Sequence, residues 1–339
     1  MPNVAPTLSV VVPVYCEAAV VEHFVARLTG VLAGAGRPFE VIVVDDGSTD
    51  GTWDALRSAA AADPRLVAVR LSRNFGKEAA LSAGLLAARG AAVVVMDGDF
   101  QHPPELIPEM VRLWSEAGAE VVEAVKERHE SESVLGRWRA QAFYVLLNRL
   151  SGYDLRGASD YKLLDRRVVE AWRGMGERTL FFRGMITWLG FRHASVRFSV
   201  PPRYGGRSKW TLVGLARLAA NAVTAFSSFP LQIVTLLGLL FMGFSLVLGV
   251  QTFYQKVSGH AVDGFTTVIL LLLIIGSLLM ISLGVIGTYI ARIFEEVKGR
   301  PRYVVSEVLG TGVAVADAPD EPRRFPRPFG PADVLRASG

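Results

Sequence analysis

The sequence predicts an α/β domain with a parallel sheet, followed by two helices long and apolar enough to cross a membrane. Three observations predict it. Between about residues 7 and 125, short β-branched runs alternate with amphipathic helical stretches, the pattern of β-α-β units whose sheet is covered on both faces. Two windows in the last third, Leu218 to Gln255 and Phe265 to Ala291, contain no charged residue. Polar and acidic clusters recur at the carboxyl ends of the strand-like runs, where ligands of such sheets bind.

Taken in order, LSVVVPVY (Leu8 to Tyr15) reads as a strand and Val20 to Leu32 as a helix. EVIVVDD (Glu40 to Asp46) is a second strand, and TWDALRSAAAA follows as a helix. LVAVRLS is a third strand, KEAALSAGLLAA a helix, and AAVVVMD a fourth strand. The clusters at the strand ends are Tyr15 with Glu17, Asp45 with Asp46, Asn74 to Lys77, and Asp97 to Gln101. From about 126 to 210 the chain is more polar and less regular.

The charge-free windows each hold the ~20 apolar residues a bilayer crossing needs. They place spans at 230–254 and 265–291, the first after the break at Pro230. A single buried helical hairpin is the alternative; two such long uncharged runs argue against it. The intervening loop carries one basic residue, Lys256. Arg203, Arg207, Lys209 and Arg217 precede the spans, and Arg292, Lys298, Arg300 and Arg302 follow them. The positive-inside rule therefore puts the N-terminal domain and the tail in the cytoplasm. The segment 211–229 is expected either to lie in the membrane interface or to be a core helix. The C-terminal segment 292–339 ends in a Pro-, Arg- and Asp-rich stretch that reads as disordered.

Composition narrows the function. The chain has 339 residues, 51% of them hydrophobic, with mean hydropathy +0.34. A net charge of +4 gives no field suited to nucleic acid. One cysteine, Cys16, excludes an internal disulfide and fits a reducing compartment. No Walker A, G-x-G-x-x-G or H-E-x-x-H motif occurs.

The stretch VVVMDGDFQHPPE, Val93 to Glu105, ends an apolar strand in two carboxylates. A turn with capping aspartates is the bland account. The chemical one is a divalent cation: Mg²⁺ takes one or two carboxylates and completes its shell with substrate phosphates and water. Asp99 suits that role, Gly98 permits close approach, and Gln101 and His102 are neutral neighbours able to complete or buttress it. In VVDDGSTDGTW, Ser48, Thr49 or Asp50 caps the next helix. Asp45 and Asp46 precede that cap, where a carboxylate can accept hydrogen bonds from a ribose or base.

VVVPVYCE, VVDDGSTDGTW, LSRNFGKEAALSAG, MDGDFQHPPE, GASDYKLLDRR, FFRGMITWLGF and RYGGRSKW occur in this order. Together they resemble the family 2 glycosyltransferases of GT-A fold that charge polyprenyl phosphates, such as dolichol-phosphate mannose synthase and the bactoprenol glucosyltransferases. The resemblance covers roughly residues 7 to 305. It implies a GT-A (Rossmann-like) catalytic domain at 1–210, ahead of the interfacial region and two spans. It further implies that Pro13, Tyr15, Glu17 and Asp46 hold the nucleoside of a nucleotide-sugar. Asp97 would touch ribose or metal, and Asp99 with Gln101 would bind Mg²⁺ or Mn²⁺ and diphosphate. Arg128, helped by Arg137, would sit by the acceptor phosphate, and Arg203 and Lys209 would close over the donor diphosphate. Asp160 falls where the family places a catalytic carboxylate; pairing with Lys162 or an arginine is its structural alternative. One departure is plain: the family usually reads Y-N-E where this chain has Tyr15-Cys16-Glu17.

The implied reaction is inverting, metal-dependent transfer of one sugar to polyprenyl (undecaprenyl) phosphate at the cytoplasmic face of the inner membrane. UDP-glucose ranks first as donor, with GDP-mannose, an amino sugar or a modified arabinose as alternatives. A phosphate monoester is mostly dianionic near pH 7, its second pKa being about 6, and needs no strong base. Asp160 is thus read as an orienting group at least as readily as a base. A processive polysaccharide synthase would be expected to carry Q-x-x-R-W, which this sequence lacks. A catalytically silent membrane adaptor that binds nucleotide-sugar is the rival from another class. The expected partners are the nucleotide-sugar, the lipid phosphate, the bilayer and further copies of the chain, whose packing would shield the small hairpin.

Overall fold

The computed structural model describes residues 7–126, 159–177, 181–198, 229–259 and 264–310. Arg128, Arg137, Arg203 and Lys209 lie outside these residues, as do the tail beyond residue 310 and the juxtamembrane residues 211–228. The chain divides into a sheet unit and a helical unit.

The sheet unit follows the alternation in the sequence. Its first half runs β1 (Leu8–Val14), α1 (Val21–Gly34), β2 (Phe39–Asp45), α2 (Thr52–Ala62), β3 (Leu66–Leu71), α3 (Lys77–Ala87) and β4 (Ala92–Val95). All four strands are parallel, with β1 between β2 and β4 and β3 outside β2. Their β-branched side chains suit a sheet buried on both faces, and every residue of β1, β2 and β4 is buried. Val10, Val12 and Val14 join the core that contains Phe24, Leu28 and Leu32 of α1. Val11 faces the other way, against α3. That helix packs so closely that a Cβ at Gly84 would meet Val11 Cγ1 well inside contact distance.

After a 3₁₀ turn at Pro104–Leu106 come α4 (Ile107–Ser115), β5 (Val121–Lys126), β6 (Lys162–Asp165), α5 (Arg166–Gly174), α6 (Phe182–Trp188) and β7 (His193–Phe198). Here the sheet departs from the parallel sheet expected. β6 inserts antiparallel between β4 and β5, so the sheet is mixed. Arg166 and Arg173 both donate to the carbonyl of Ala88, at 3.0 and 2.7 Å, at the open end of α3. This is the GT-A, Rossmann-like arrangement that the resemblance implies, with the antiparallel β6 beside β4.

An eighth strand, β8 (Val305–Leu309), pairs antiparallel with β3, giving the order β7-β5-β6-β4-β1-β2-β3-β8. It comes from beyond the last long helix, so the sheet extends past the segment where the sequence suggested it ends. Glu307 accepts from Trp53 Nε1 at 3.0 Å, Arg302 donates to the Met175 carbonyl, and Tyr303 is fully buried. Covering β3 removes an exposed edge. Tyr303→Ala is expected to cost about 3 kcal/mol, the scale of an aromatic core deletion. Thermal unfolding of the detergent-solubilised protein measures it. A change below about 0.5 kcal/mol, typical of a surface site, would mean that the strand is undocked in solution.

The helical unit holds α7 (Phe229–Val257) and α8 (Phe265–Val297). Leu231–Gln255 and Ile274–Val297 have mean hydropathies of 2.5 and 2.1 and are long enough to cross a membrane. At 1.5 Å per residue, the 29 and 33 residues of the two helices give lengths of roughly 44 and 50 Å, beyond the ~30 Å hydrocarbon core. Leu240, Leu246, Val250, Phe253, Met280 and Leu283 are all exposed. Such a surface suits lipid rather than water.

Candidate active site

The carboxyl ends of β1, β2 and β4 open into a cleft of about 380 Å³ lined by Pro13, Tyr15, Glu17, Asp46, Asn74, Lys77, Asp97 and Asp99. The sequence reading and the structure thus bring Pro13, Tyr15, Glu17, Asp46, Asp97 and Asp99 to one place. Gln101 stands beside them: its N–H donates to Asp99 Oδ1 at 3.0 Å, closing the D-G-D-F-Q turn.

The polar residues of VVDDGSTDGTW hold the loop after β1. Cys16 N donates to Ser48 Oγ at 2.8 Å, Glu17 N to Thr52 Oγ1 at 2.9 Å, and Ala18 N to Asp50 Oδ2 at 3.3 Å. Asp50 also accepts from the N–H of Thr52, the first residue of α2, but Gly51 stands at the N-cap and no side chain caps the helix there, so none of Ser48, Thr49 and Asp50 takes the N-cap position expected in this stretch. Cys16 has φ 53°, a left-handed conformation that asparagine adopts more readily than cysteine. That gives a backbone reason for the family's usual asparagine, and the Ser48 bond keeps the loop in place here.

Asp46 accepts from Phe75 N and Gly76 N at 2.8 and 2.9 Å, one bond to each carboxylate oxygen. Burial raises its pKa and these two N–H groups oppose the rise. Its first task is therefore to fasten the loop before α3 to the end of β2, forming one wall of the cleft. Gly47 beside it has φ 67°, and a Cβ there would overlap the backbone of Arg73 and Asn74. Only glycine fits that crossing.

The turn after β4 is strained and supported. Phe100 has φ 60°, a conformation costing ~1–2 kcal/mol. Its ring packs edge-on against Phe24 with centroids 5.3 Å apart. His102 buttresses the turn: its Nδ1 accepts from Asp97 N at 2.9 Å, and its ring stacks on Tyr161. An accepting Nδ1 belongs to a neutral imidazole.

The charged network was only partly legible in the sequence. Lys77 Nζ lies 2.6 Å from Asp97 Oδ1 and 2.7 Å from Asp160 Oδ2. Arg183 adds a two-pronged contact to Asp160, with Nε at 2.6 Å from Oδ1 and Nη2 at 2.8 Å from Oδ2. Burial works against ionisation of Asp160. The Arg183 bonds and the Lys77 charge outweigh it and hold this carboxyl well below the usual range. Lys162, the pairing partner suggested by its nearness in sequence, instead contacts Glu123. Glu78 accepts from Phe182 N at 3.0 Å, and burial pushes its carboxyl up to about 7. The sequence signals for Lys77, Glu78 and Arg183 were the strings LSRNFGKEAALSAG and FFRGMITWLGF; neither says which carboxylate each cation meets.

Glu17 faces the two aspartates of the turn. Burial, then the charges of Asp99 and Asp97, push its carboxyl up to about 7. Its Oε2 is buried and makes no hydrogen bond in the structure. A buried, unpartnered acceptor among like charges is a donor set that fits a cation. Among the described residues no three His, Cys, Asp or Glu side chains would enclose a metal by themselves. Two carboxylates with substrate phosphates are the pattern Mg²⁺ adopts.

Residues 9–172 match the model of glycosyl transferase family 2. An uncharacterized glycosyltransferase of Synechocystis, sll0501, is 38% identical over 305 residues, 89% of this chain and 96% of that one. The prophage bactoprenol glucosyl transferase homolog of Escherichia coli is 34% identical, covering 89% of this chain and 99% of its own length. The bactoprenol glucosyl transferase of Shigella phage SfX is 35% identical over 88% and 98%. Among solved structures, glucosyl-3-phosphoglycerate synthase of Mycobacterium tuberculosis aligns at TM-score 0.47 and 22% identity, over 65% of this chain and 78% of that one.

Proposed function

This chain belongs to glycosyl transferase family 2, and on that premise we propose that it moves a single sugar from a nucleotide-sugar to polyprenyl phosphate at the cytoplasmic membrane face, with UDP-glucose as donor. Coverage is the observation that carries the acceptor. The E. coli relative named a bactoprenol glucosyl transferase homolog matches over 303 residues, which leaves 36 (339 less 303). Since α7 and α8 hold 29 and 33 residues, the match cannot leave both outside. The similarity therefore extends beyond the catalytic sheet into the apolar helical unit.

The return of β8 supports the orientation. The sheet takes strands from before α7 and from after α8. Both outer ends of the helix pair then lead to one domain, which two crossings allow and an odd number would forbid. The basic flanks put that domain in the cytoplasm.

In the proposed reaction a lipid-phosphate oxygen attacks the anomeric carbon. The bond from that carbon to the donor diphosphate breaks, inverting the centre. The nucleophile is already anionic, its second pKa being about 6, so no residue has to remove a proton. Asp97 and Asp99 are the residues that would hold Mg²⁺ or Mn²⁺, whose charge stabilises the departing nucleoside diphosphate. Pro13, Tyr15 and the Asp46 wall enclose the nucleoside end. Lys77 sets a positive charge on the diphosphate side. Asp160, tied by Arg183, orients that ammonium rather than acting as a base. Arg128 and Arg137 are assigned to the acceptor phosphate, and Arg203 and Lys209 to the donor diphosphate.

Membranes containing the protein, given polyprenyl phosphate and Mg²⁺ or Mn²⁺, are expected to move radiolabel from UDP-glucose into chloroform-extractable lipid. EDTA should stop the transfer. Binding of a nucleotide-sugar without lipid label from any UDP- or GDP-sugar would overturn the reading in favour of a silent adaptor.

A further inference from the structure

We infer that Lys77 is the resident counter-ion of the Asp97 carboxylate, displaced from it when a divalent cation binds. The inference rests on the metal-dependent reading above. Among the described residues lining the cleft, Lys77 is the one cation, and Glu17, Asp46, Asp97 and Asp99 are its acidic residues. Its ammonium sits between Asp97 and Asp160 at 2.6 and 2.7 Å.

The two carboxylates are not equivalent. Asp160 is 9% exposed at its side chain and has both oxygens on Arg183. Asp97 is 28% exposed and opens onto the cleft. A divalent ion bound to Asp97 repels an ammonium held at hydrogen-bonding distance on the same carboxylate, and so weakens the Lys77 contact to it. Asp160 is fixed, so the ammonium keeps that partner when Asp97 is taken. It then stands beside the diphosphate that arrives with the metal. One side chain thus neutralises the acidic cleft when it is empty of substrate and adds positive charge once the donor is bound. Lys77 acts here as a positioning residue that exchanges partners, and no proton moves.

The test separates metal binding from turnover. Full-length protein in detergent is titrated with Mn²⁺, free ion being read by electron paramagnetic resonance, and separately with UDP by calorimetry. Lys77→Met should bind Mn²⁺ about tenfold more tightly without nucleotide, the scale of a partly buried ion pair. The same variant should bind UDP in the presence of Mn²⁺ about tenfold more weakly, since a positive charge beside the diphosphate is gone. A merely structural lysine would not shift the two affinities in opposite directions. Lys77→Arg keeps the counter-ion and should bind Mn²⁺ no more tightly than the natural protein. It decides the matter if the methionine variant fails to fold.

Unchanged or weaker Mn²⁺ binding in folded Lys77→Met, or tighter binding in Lys77→Arg, overturns the inference while leaving the metal site standing. If the natural protein and Asp99→Ala are equally unable to bind Mn²⁺ with UDP present, the metal reading itself falls.

Discussion

Asp99→Ala should reduce sugar transfer by about a thousandfold or more while the protein stays folded. The magnitude follows from removing one of two carboxylates from a cation that stabilises the leaving diphosphate: several kcal/mol of transition-state stabilisation, at 1.36 kcal/mol per tenfold. The expectation of an intact fold follows from position. Asp99 is exposed and accepts the turn contact from Gln101 N. Its removal should change stability by no more than about 0.5–1 kcal/mol. Asp97 would be a poorer probe, because its removal also strips Lys77 of a partner. The measurement is lipid-phase label beside the thermal midpoint of the same preparation. Activity within tenfold of the natural protein, at an unchanged midpoint, would show that no essential metal depends on Asp99.

Much of this site was readable from the sequence because it rides on regular elements. The four parallel strands are β-branched runs punctuated by helices, and their limits agree with the structure to within a residue or two. Once β1, β2 and β4 are placed side by side, Tyr15, Glu17, Asp46, Asp97 and Asp99 must share one end of the sheet. The later strands carry a weaker signal. β6 is four residues of mixed polarity, and its buried Lys162 hides the strand from any hydrophobic pattern. β8, VSEVL, is an ordinary short segment whose partner lies more than 230 residues earlier. No local periodicity can report such a pairing. The same holds for charges. That Asp160 is a functional candidate was legible from GASDYK. That its partners are Lys77, 83 residues before it, and Arg183, 23 after it, depends on where the chain brings α3 and α6.

Those partners decide the second large effect, which is expected from Asp160→Asn. The amide cannot balance two cations, so Lys77 and Arg183 are left facing each other with one carboxylate fewer. Breaking a buried ion pair from one side costs about 3–5 kcal/mol, and the thermal midpoint should fall accordingly. Transfer should fall about a hundredfold, the scale of a misplaced positioning group. The shape of the pH profile separates this from loss of a base. A carboxyl held well below its ordinary range by Arg183 and Lys77 is a feeble proton acceptor near neutrality. The acidic limb of kcat/KM should therefore come from groups other than Asp160, the acceptor phosphate near pH 6 and Glu17, pushed up to about 7, and persist in the variant at reduced height. A limb present in the natural protein and absent from Asp160→Asn would instead make Asp160 the proton acceptor. Neutralising Arg183 gives the converse check. Arg183→Met removes the fork that outweighs burial, so the Asp160 pKa should rise toward its ordinary value, and transfer should fall without a new limb near neutrality.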